Sequence, residues 1–289
     1  MKIFYTERSI NGLGQLQKAG IDAFEPKEEI PNVHEFDRSS LLAYLKEFKP
    51  EGIVVGLKFQ IDKEIMDQVN LKVIFTRTTG LDHIDTEYAK EKGIEVINLK
   101  GEELTDVRAV AELNLCMMIF LMRTVHKPGY ELGGKTMGLI GFGRIGRQLA
   151  GMGLNLGMHI IYHDPAFPQK SIPLEKLLKE SQIISLHVTA KEENRDMISW
   201  EQFAQMEQHP FFLNSSRPWL VDNKALKSAL KEGLVSGAWI DFDLDFKAPN
   251  LLTSPHLGGL TMEATVRTEQ IIIEKVIRYY ESRNSSGNR

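Results

Sequence analysis

Residues 137–150 read MGLIGFGRIGRQLA. An apolar run ends in glycines spaced G-x-G-x-x-G, at Gly141, Gly143 and Gly146, and a helix-period segment follows. A strand that runs into such a turn and opens a helix is the context in which this spacing binds a dinucleotide. Gly141 permits the tight turn, Gly143 lets the backbone approach a pyrophosphate, and Gly146 lets helix and strand pack closely. The unpaired N–H groups at the helix start favour the anion. An acid is expected at the end of the next strand, and HIIYHDP (159–165) supplies Asp164, 18 residues after Gly146. Its carboxylate accepts ribose hydroxyls and repels a 2′-phosphate, which predicts NAD rather than NADP as the cofactor. The plain alternative is a tight strand-to-helix turn with no ligand.

On both sides of this turn, apolar runs alternate with helix-period segments along most of the chain. KIFYT (2–6), GIVVG (52–56), KVIFT (72–76) and IEVIN (94–98) read as buried strands. Segments 40–48, 62–69 and 85–92 read as helices, with Ser40, Asp62 and Asp85 as N-caps. Val110–Arg123 reads as a strongly apolar helix, and the breaker-rich stretch HKPG (126–129) follows it. The alternation then restarts with TMGLIG (136–141), HIIYH (159–163), IISLH (183–187), FFLN (211–214), VSGAWID (235–241) and LLTS (251–254), and a long amphipathic helix spans 261–281. Strand–helix alternation of this kind predicts parallel sheets with helices on both faces. The chain therefore reads as two α/β domains.

The totals agree with that reading. The 289 residues exceed one ordinary domain and fit two. A net charge of −4 offers no field for nucleic acid or for an anionic membrane. The longest apolar run, 115–122, is far short of a membrane span. MKIFYTERSI carries a charge at Arg8 and no small-residue cleavage pattern, so no signal peptide is expected. Cys116 is the only cysteine, which excludes an internal disulfide, and its apolar surroundings predict a buried thiol. A cytoplasmic protein is expected, without a bound metal.

Several further segments together resemble the D-isomer-specific 2-hydroxyacid dehydrogenases, the family that includes D-3-phosphoglycerate dehydrogenase. These are KVIFTRTTGLDHIDTEYAKEKGIEVIN (72–98), VAE (110–112), GGKTMGLIGFGRIG (133–146), LNSSRPWLVDNKALKSALKEGLVSGAWID (213–241) and SPHLGG (254–259). The resemblance implies two doubly wound parallel-sheet domains, a Rossmann cofactor domain at 104–261 inserted into a flavodoxin-like substrate domain. The substrate domain would be 1–103, completed by a C-terminal helix at 262–289. It implies a cleft that closes on substrate, a homodimer, and a small anionic 2-hydroxy or 2-oxo acid as the partner, bound at Thr78, Thr79 and Gly80.

Site residues follow from the same resemblance. The family's arginine falls on Arg217 in NSSRP, where a guanidinium fork would grip a carboxylate and polarise the adjacent carbonyl. Its histidine falls on His256, suited to move the hydroxyl proton as hydride leaves. The pyrophosphate site maps to Arg144 and Ile145, the adenine side to His187 and Val188, and the nicotinamide side to Ser215, Ser216, Asp241, His256 and Gly258. Three positions depart from the pattern. Pro218 replaces glycine after the arginine, Thr189 replaces proline after His187, and Phe246 stands where the family's catalytic glutamate pairs with the histidine. Asp241, Asp243 and Asp245 alternate and share a face in an extended chain. Asp245 is the candidate replacement for the glutamate, and a solvated acidic edge is the alternative. Arg77 and Lys58 hint at a second anionic group on the substrate, or are surface charges.

Two readings of function follow. The first is an NAD-dependent enzyme transferring a hydride between nicotinamide and a small D-2-hydroxy acid or its 2-oxoacid. The second is a non-catalytic NAD(H)-binding sensor or scaffold on the same fold, motivated by the departures at Phe246, Pro218 and Thr189.

Overall fold

A computed structural model describes residues 1–26 and 36–286. The chain forms two compact units. Unit 1 comprises Met1–Asp106 and Met262–Arg289, and unit 2 comprises Val107–Thr261. Residues 27–35 and 287–289 lie outside the described residues.

Unit 1 is a parallel sheet of β1 (Lys2–Tyr5), β2 (Asp22–Phe24), β3 (Gly52–Val55), β4 (Val73–Thr76) and β5 (Glu95–Ile97), in the order β2-β1-β3-β4-β5. That is the flavodoxin-like doubly wound order. Its helices are α1 (Gly12–Lys18), α2 (Arg38–Phe48), α3 (Lys63–Met66), α4 (Thr86–Glu91) and the C-terminal helix Met262–Ser286. The central strands β3 and β4 are short apolar runs buried on both faces, as helices above and below a parallel sheet require. Asp62 and Asp85 cap α3 and α4 by accepting from Ile65 N (3.2 Å) and Tyr88 N (3.0 Å). The cap of α2 is Asp37 rather than Ser40, because its carboxylate reaches Ser40 N at 2.8 Å. On the C-terminal helix, Glu269 is buried and accepts from Ile10 N (3.0 Å) and Asn11 N (3.1 Å), fixing the entry to α1. Neither α1 nor β2 is among the elements expected from the sequence.

Unit 2 contains β6 (Thr136–Ile140), β7 (His159–His163), β8 (Ile183–Leu186), β9 (Phe211–Asn214), β10 (Gly237–Ile240) and β11 (Leu251–Thr253), all parallel, in the order β11-β10-β9-β8-β6-β7. Its helices are α5 (Ala109–Thr124), α6 (Arg144–Asn155), α7 (Leu174–Glu180), α8 (Trp200–Ala204) and α9 (Asn223–Glu232). One apolar cluster forms around Phe203, Phe212 and Leu226, and another around Trp239, Leu139 and Met118. Each fully buried Phe, Leu or Ile contributes about 1.5–3 kcal/mol by removal from water. The chain crosses β6 between β7 and β8, so strand order reverses at the carboxyl end of β6, where such sheets bind ligands.

The two doubly wound parallel sheets are those expected. Cys116 is not buried: it is exposed on α5, as are Ile119 and Phe120. Apolar residues surround this helix on all sides, so periodicity does not define its inner face. Among the described residues, no helix is long and apolar enough to cross a membrane.

Candidate active site

The glycine turn sits at the reversal in unit 2. Gly141 has φ +95°, and a Cβ there would lie 2.6 Å from the His187 carbonyl oxygen, so only glycine fits. A Cβ at Gly146 would strike the Gly141 carbonyl, which is the close helix–strand packing the fingerprint requires. Nothing lies within 4 Å of a Cβ built on Gly143, the N-cap of α6. The start of α6 is therefore open to an anion at backbone level, and the cradle fits a pyrophosphate. The Arg144 guanidinium turns away to the Val107 carbonyl (2.8 Å) and is pulled below its usual pKa by burial. What Arg144 and Ile145 offer an anion is thus their backbone.

Asp164 follows β7. One carboxylate oxygen accepts from Phe142 N at 2.7 Å, the other from Ala166 N at 2.8 Å. The Phe142 ring lies flat on Tyr162, with centroids 3.8 Å apart and planes 7° apart. The acid is thereby locked to the glycine turn itself. Two accepted bonds leave carboxylate lone pairs for hydroxyl donors.

A buried polar chain runs behind this turn. Asn114 of α5 donates to Ser215 Oγ (2.8 Å) and to Val110 O (2.7 Å), and accepts from Ser185 Oγ (3.2 Å). Ser185 Oγ also meets His187 Nε2 at 2.9 Å. Burial pushes the His187 imidazole down to about 4, so it is neutral near pH 7. Val188 continues from it, half-buried against the core.

The arginine loop follows β9. The buried Asn214 accepts from Ser216 N (2.9 Å) and donates to the Arg217 carbonyl (2.9 Å), while Ser216 Oγ donates to Leu186 O (2.8 Å). Arg217 Nη1 donates to Ser216 O at 2.8 Å. Pro218 opens a 3₁₀ turn, Pro218–Leu220, as its first residue. Proline suits that position, where its fixed φ helps and its missing N–H is not needed. The departure at Pro218 is thus absorbed locally.

The histidine turn is held by Asp241. This carboxylate is fully buried at the end of β10 and accepts from Ser254 Oγ (2.6 Å), Leu257 N (2.8 Å) and Gly258 N (2.8 Å). Trp239 Nε1 donates to Ser254 Oγ at 3.0 Å. Between these anchors His256 stands at φ 55°, a left-handed conformation uncommon outside glycine. Its ring stacks on Phe242 with centroids 4.9 Å apart.

The acids after Asp241 behave otherwise. Phe242, Leu244, Phe246 and Ala248 turn inward onto the core of unit 2, and Asp243 and Asp245 are exposed. The exposure of Asp243 and Asp245 favours the solvated acidic edge over a role for Asp245 beside His256. Phe246, at the family's glutamate position, has the Lys227 ammonium 5.7 Å from its ring centre. An exposed carboxylate out of contact is screened by water and salt. Asp245→Asn should therefore leave the pH–rate profile superimposable on that of the parent, and a displaced profile would restore Asp245 to the site.

In unit 1 the loop after β4 is pinned from both sides. Thr78 Oγ1 donates to Gly80 O (2.7 Å), Thr76 Oγ1 meets His83 Nε2 (3.0 Å), and Asn98 Nδ2 donates to Thr79 O (2.8 Å). Sequence reasoning missed Asn114, Ser254 and Trp239. Ser254 and Trp239 carried a signal, as parts of SPHLGG and of the 213–241 segment, and Asn114 carried none.

A doubly wound sheet with a glycine turn at its reversal and an acid closing β7 defines a dinucleotide-binding α/β protein. Comparison with known proteins narrows this. Residues 111–258 match the profile of the D-isomer specific 2-hydroxyacid dehydrogenase, NAD binding domain. The chain is 32% identical to a hydroxypyruvate reductase of Thermotoga maritima, covering 91% of this chain and 95% of that protein. It is 32% identical to a glyoxylate reductase of Thermococcus litoralis, covering 84% and 83%. Among solved structures it is similar to the TT0316 protein from Thermus thermophilus, with a TM-score of 0.81, 29% identity and coverage of 98% and 97%. Likeness of fold extends to a 3-phosphoglycerate dehydrogenase of Entamoeba histolytica, with a TM-score of 0.83, 23% identity and coverage of 97% and 95%. The chain belongs to the D-isomer-specific 2-hydroxyacid dehydrogenase family.

Proposed function

We propose that the chain is an NAD-dependent oxidoreductase of small D-2-hydroxy acids and their 2-oxoacids, with unit 2 as the cofactor domain and unit 1 as the substrate domain. The observation that carries this reading is the gathering in unit 2 of the glycine turn, the ribose acid Asp164, Arg217 and the clasped His256 turn. Similarity to a hydroxypyruvate reductase over nearly the whole of both chains supports it, and those named relatives favour the enzyme over a scaffold.

The nicotinamide supplies the hydride when bound. Gly141, Gly143 and Gly146, with the backbone of Arg144 and Ile145, cradle the pyrophosphate, and Asp164 accepts the ribose hydroxyls. His187 and Val188 line the adenine side. Ser215, Ser216 and Gly258 border the nicotinamide. Arg217 grips the substrate carboxylate and polarises the carbonyl beside it. Protonated His256 gives its proton to the carbonyl oxygen during reduction and takes it back during oxidation. Thr78, Thr79 and Gly80 hold the substrate from unit 1. Asp241 acts on this chemistry through the His256 turn.

The protein is expected to work in the cytoplasm as a homodimer. Ile119 and Phe120 on α5, with Leu154 and Leu156 around the end of α6, are exposed apolar side chains of unit 2 that support self-association.

The deciding experiment follows NADH oxidation with glyoxylate, hydroxypyruvate and longer 2-oxoacids. Turnover of at least one is expected; NADH binding without turnover across the set would overturn the enzyme reading. The parent should prefer NADH over NADPH, and Asp164→Ala should narrow that preference by about tenfold by removing repulsion of the 2′-phosphate. Equal affinities in the parent would remove Asp164 from this role.

A further inference from the structure

In unit 1 the strand order reverses between β1 and β3. The ligand crevice of an open parallel sheet lies outside the carboxyl ends of the strands at such a reversal. Three residues meet there: Glu7 follows β1, Gly56 follows β3, and Arg77 follows β4. The Glu7 carboxylate accepts from Lys58 N at 3.3 Å and forms an ion pair with Arg77 Nη2. A Cβ on Gly56 would collide with that carboxylate, so the crevice at Gly56 is filled by the Glu7 side chain. The pair is withdrawn from water, with side-chain exposures of 14% for Arg77 and 25% for Glu7. The Lys58 ammonium is engaged elsewhere, 5.5 Å from the Phe59 ring centre.

A guanidinium and a backbone N–H converging on one point are the donors that bind a phosphate or carboxylate. Here the chain's own carboxylate takes them. We propose that Glu7 is a built-in anion occupying a second anion site, so that the enzyme accepts 2-oxoacids with one anionic group and rejects those carrying a second. This rests on the oxidoreductase reading and names the substrate class within it. A substrate ending in hydrogen or a hydroxymethyl group does not contest the site. A phosphate ester or a second carboxylate meets Glu7 as a like charge, and it gains Arg77 only by displacing a paired, partly buried carboxylate. Like-charge juxtaposition of this kind costs enough to disfavour the dianion on the order of a hundredfold. The cation that the sequence suggests for a second anionic group is thus present but already satisfied.

The test compares kcat/KM for hydroxypyruvate and for its 3-phosphate ester in the full chain with NADH. The parent should prefer hydroxypyruvate on the order of a hundredfold. Glu7→Ala should move that ratio toward the phosphate ester by about tenfold or more, and Glu7→Gln should move it less, since the amide fills the same space without the charge. Adding Arg77→Ala to Glu7→Ala should abolish the shift. Calorimetric titration with inorganic phosphate supplies a readout independent of turnover. Glu7→Ala should bind phosphate, and the parent and the double variant should not. A parent ratio near one, an unmoved ratio in both Glu7 variants, or no gain of phosphate binding in folded Glu7→Ala would each overturn the proposal. A purely structural ion pair would lower the melting temperature and leave the ratio in place. If the parent reduces neither oxoacid, the oxidoreductase reading fails, and the phosphate titration alone decides whether Glu7 guards an anion site.

Discussion

Arg217→Lys is expected to lower kcat/KM for the preferred 2-oxoacid by about a hundred- to a thousandfold, the range for loss of a donor aimed at developing oxyanion charge. NADH affinity should stay within a few-fold. Charge is conserved in this substitution, so the expectation rests on geometry. The guanidinium is planar and presents parallel N–H groups, whereas an ammonium is a point donor on a flexible stem. The loop that carries it is held from two sides: Asn214 fixes the Arg217 carbonyl at 2.9 Å, and Ser216 Oγ ties the preceding residue to Leu186 O at 2.8 Å. One guanidinium nitrogen also donates back to Ser216 O at 2.8 Å, a bond that further orients the fork. Lysine inherits the backbone position but not that bond or the second parallel donor. A loss shared by kcat and kcat/KM would mark a contact made mainly in the transition state. Activity within a few-fold of the parent would show that Arg217 is not the clamp.

The comparison of Arg217 with Asp245 shows what is legible in a sequence and what is not. The glycine turn, the strand before it and the acid after it are local, and their spacing alone brings them together. Apart from β2, the strands of both sheets are legible for a similar reason, since each lies in a short apolar run bounded by turn residues. Asp243 and Asp245 share an outward face, as their alternation predicts, but Asp241 does not join them. Which face goes inward is decided by the core of unit 2, and it takes Phe242, Leu244 and Phe246. The single exception is Asp241, which is buried because β10 has just ended and the His256 turn brings three donors to it. Arg77 is legible as a cation near the substrate loop, but Glu7 lies 70 residues away in sequence and meets it only through the strand order β1-β3-β4. Cys116 fails for a different reason. A helix apolar on every side gives no period from which to read its buried face.

Asp241→Asn should damage both stability and turnover. The carboxylate has three donors on two oxygens, and no water-exposed surface through which to compensate. Asparagine supplies one oxygen and replaces the other with an NH2 group. In one orientation the amide meets the Gly258 N–H, donor against donor; in the other it meets the Ser254 hydroxyl and the Leu257 N–H. At least one bond is lost either way, and hydrogen bonds to charged groups are worth about 1.5–3 kcal/mol each. For a unit of this size that corresponds to a fall in Tm of roughly 3–12 °C. The same bonds hold His256 at φ 55°, a conformation that persists only where its surroundings enforce it. Released, the turn relaxes and the imidazole leaves its working position, so kcat should fall by about a hundredfold, as small misplacements of reacting groups do. Ser254→Ala is the graded comparison. It removes one donor from Asp241 and the acceptor of Trp239 Nε1, but leaves both backbone N–H groups in place. It should lower Tm and kcat less than Asp241→Asn. NADH affinity separates the two roles open to Asp241. A direct contact with the nicotinamide would weaken NADH binding in step with kcat, whereas a clasp on the histidine turn lowers kcat while NADH binding stays within a few-fold. If Asp241→Asn melts with the parent and turns over at the parent's rate, the buried carboxylate is not what holds His256 in place.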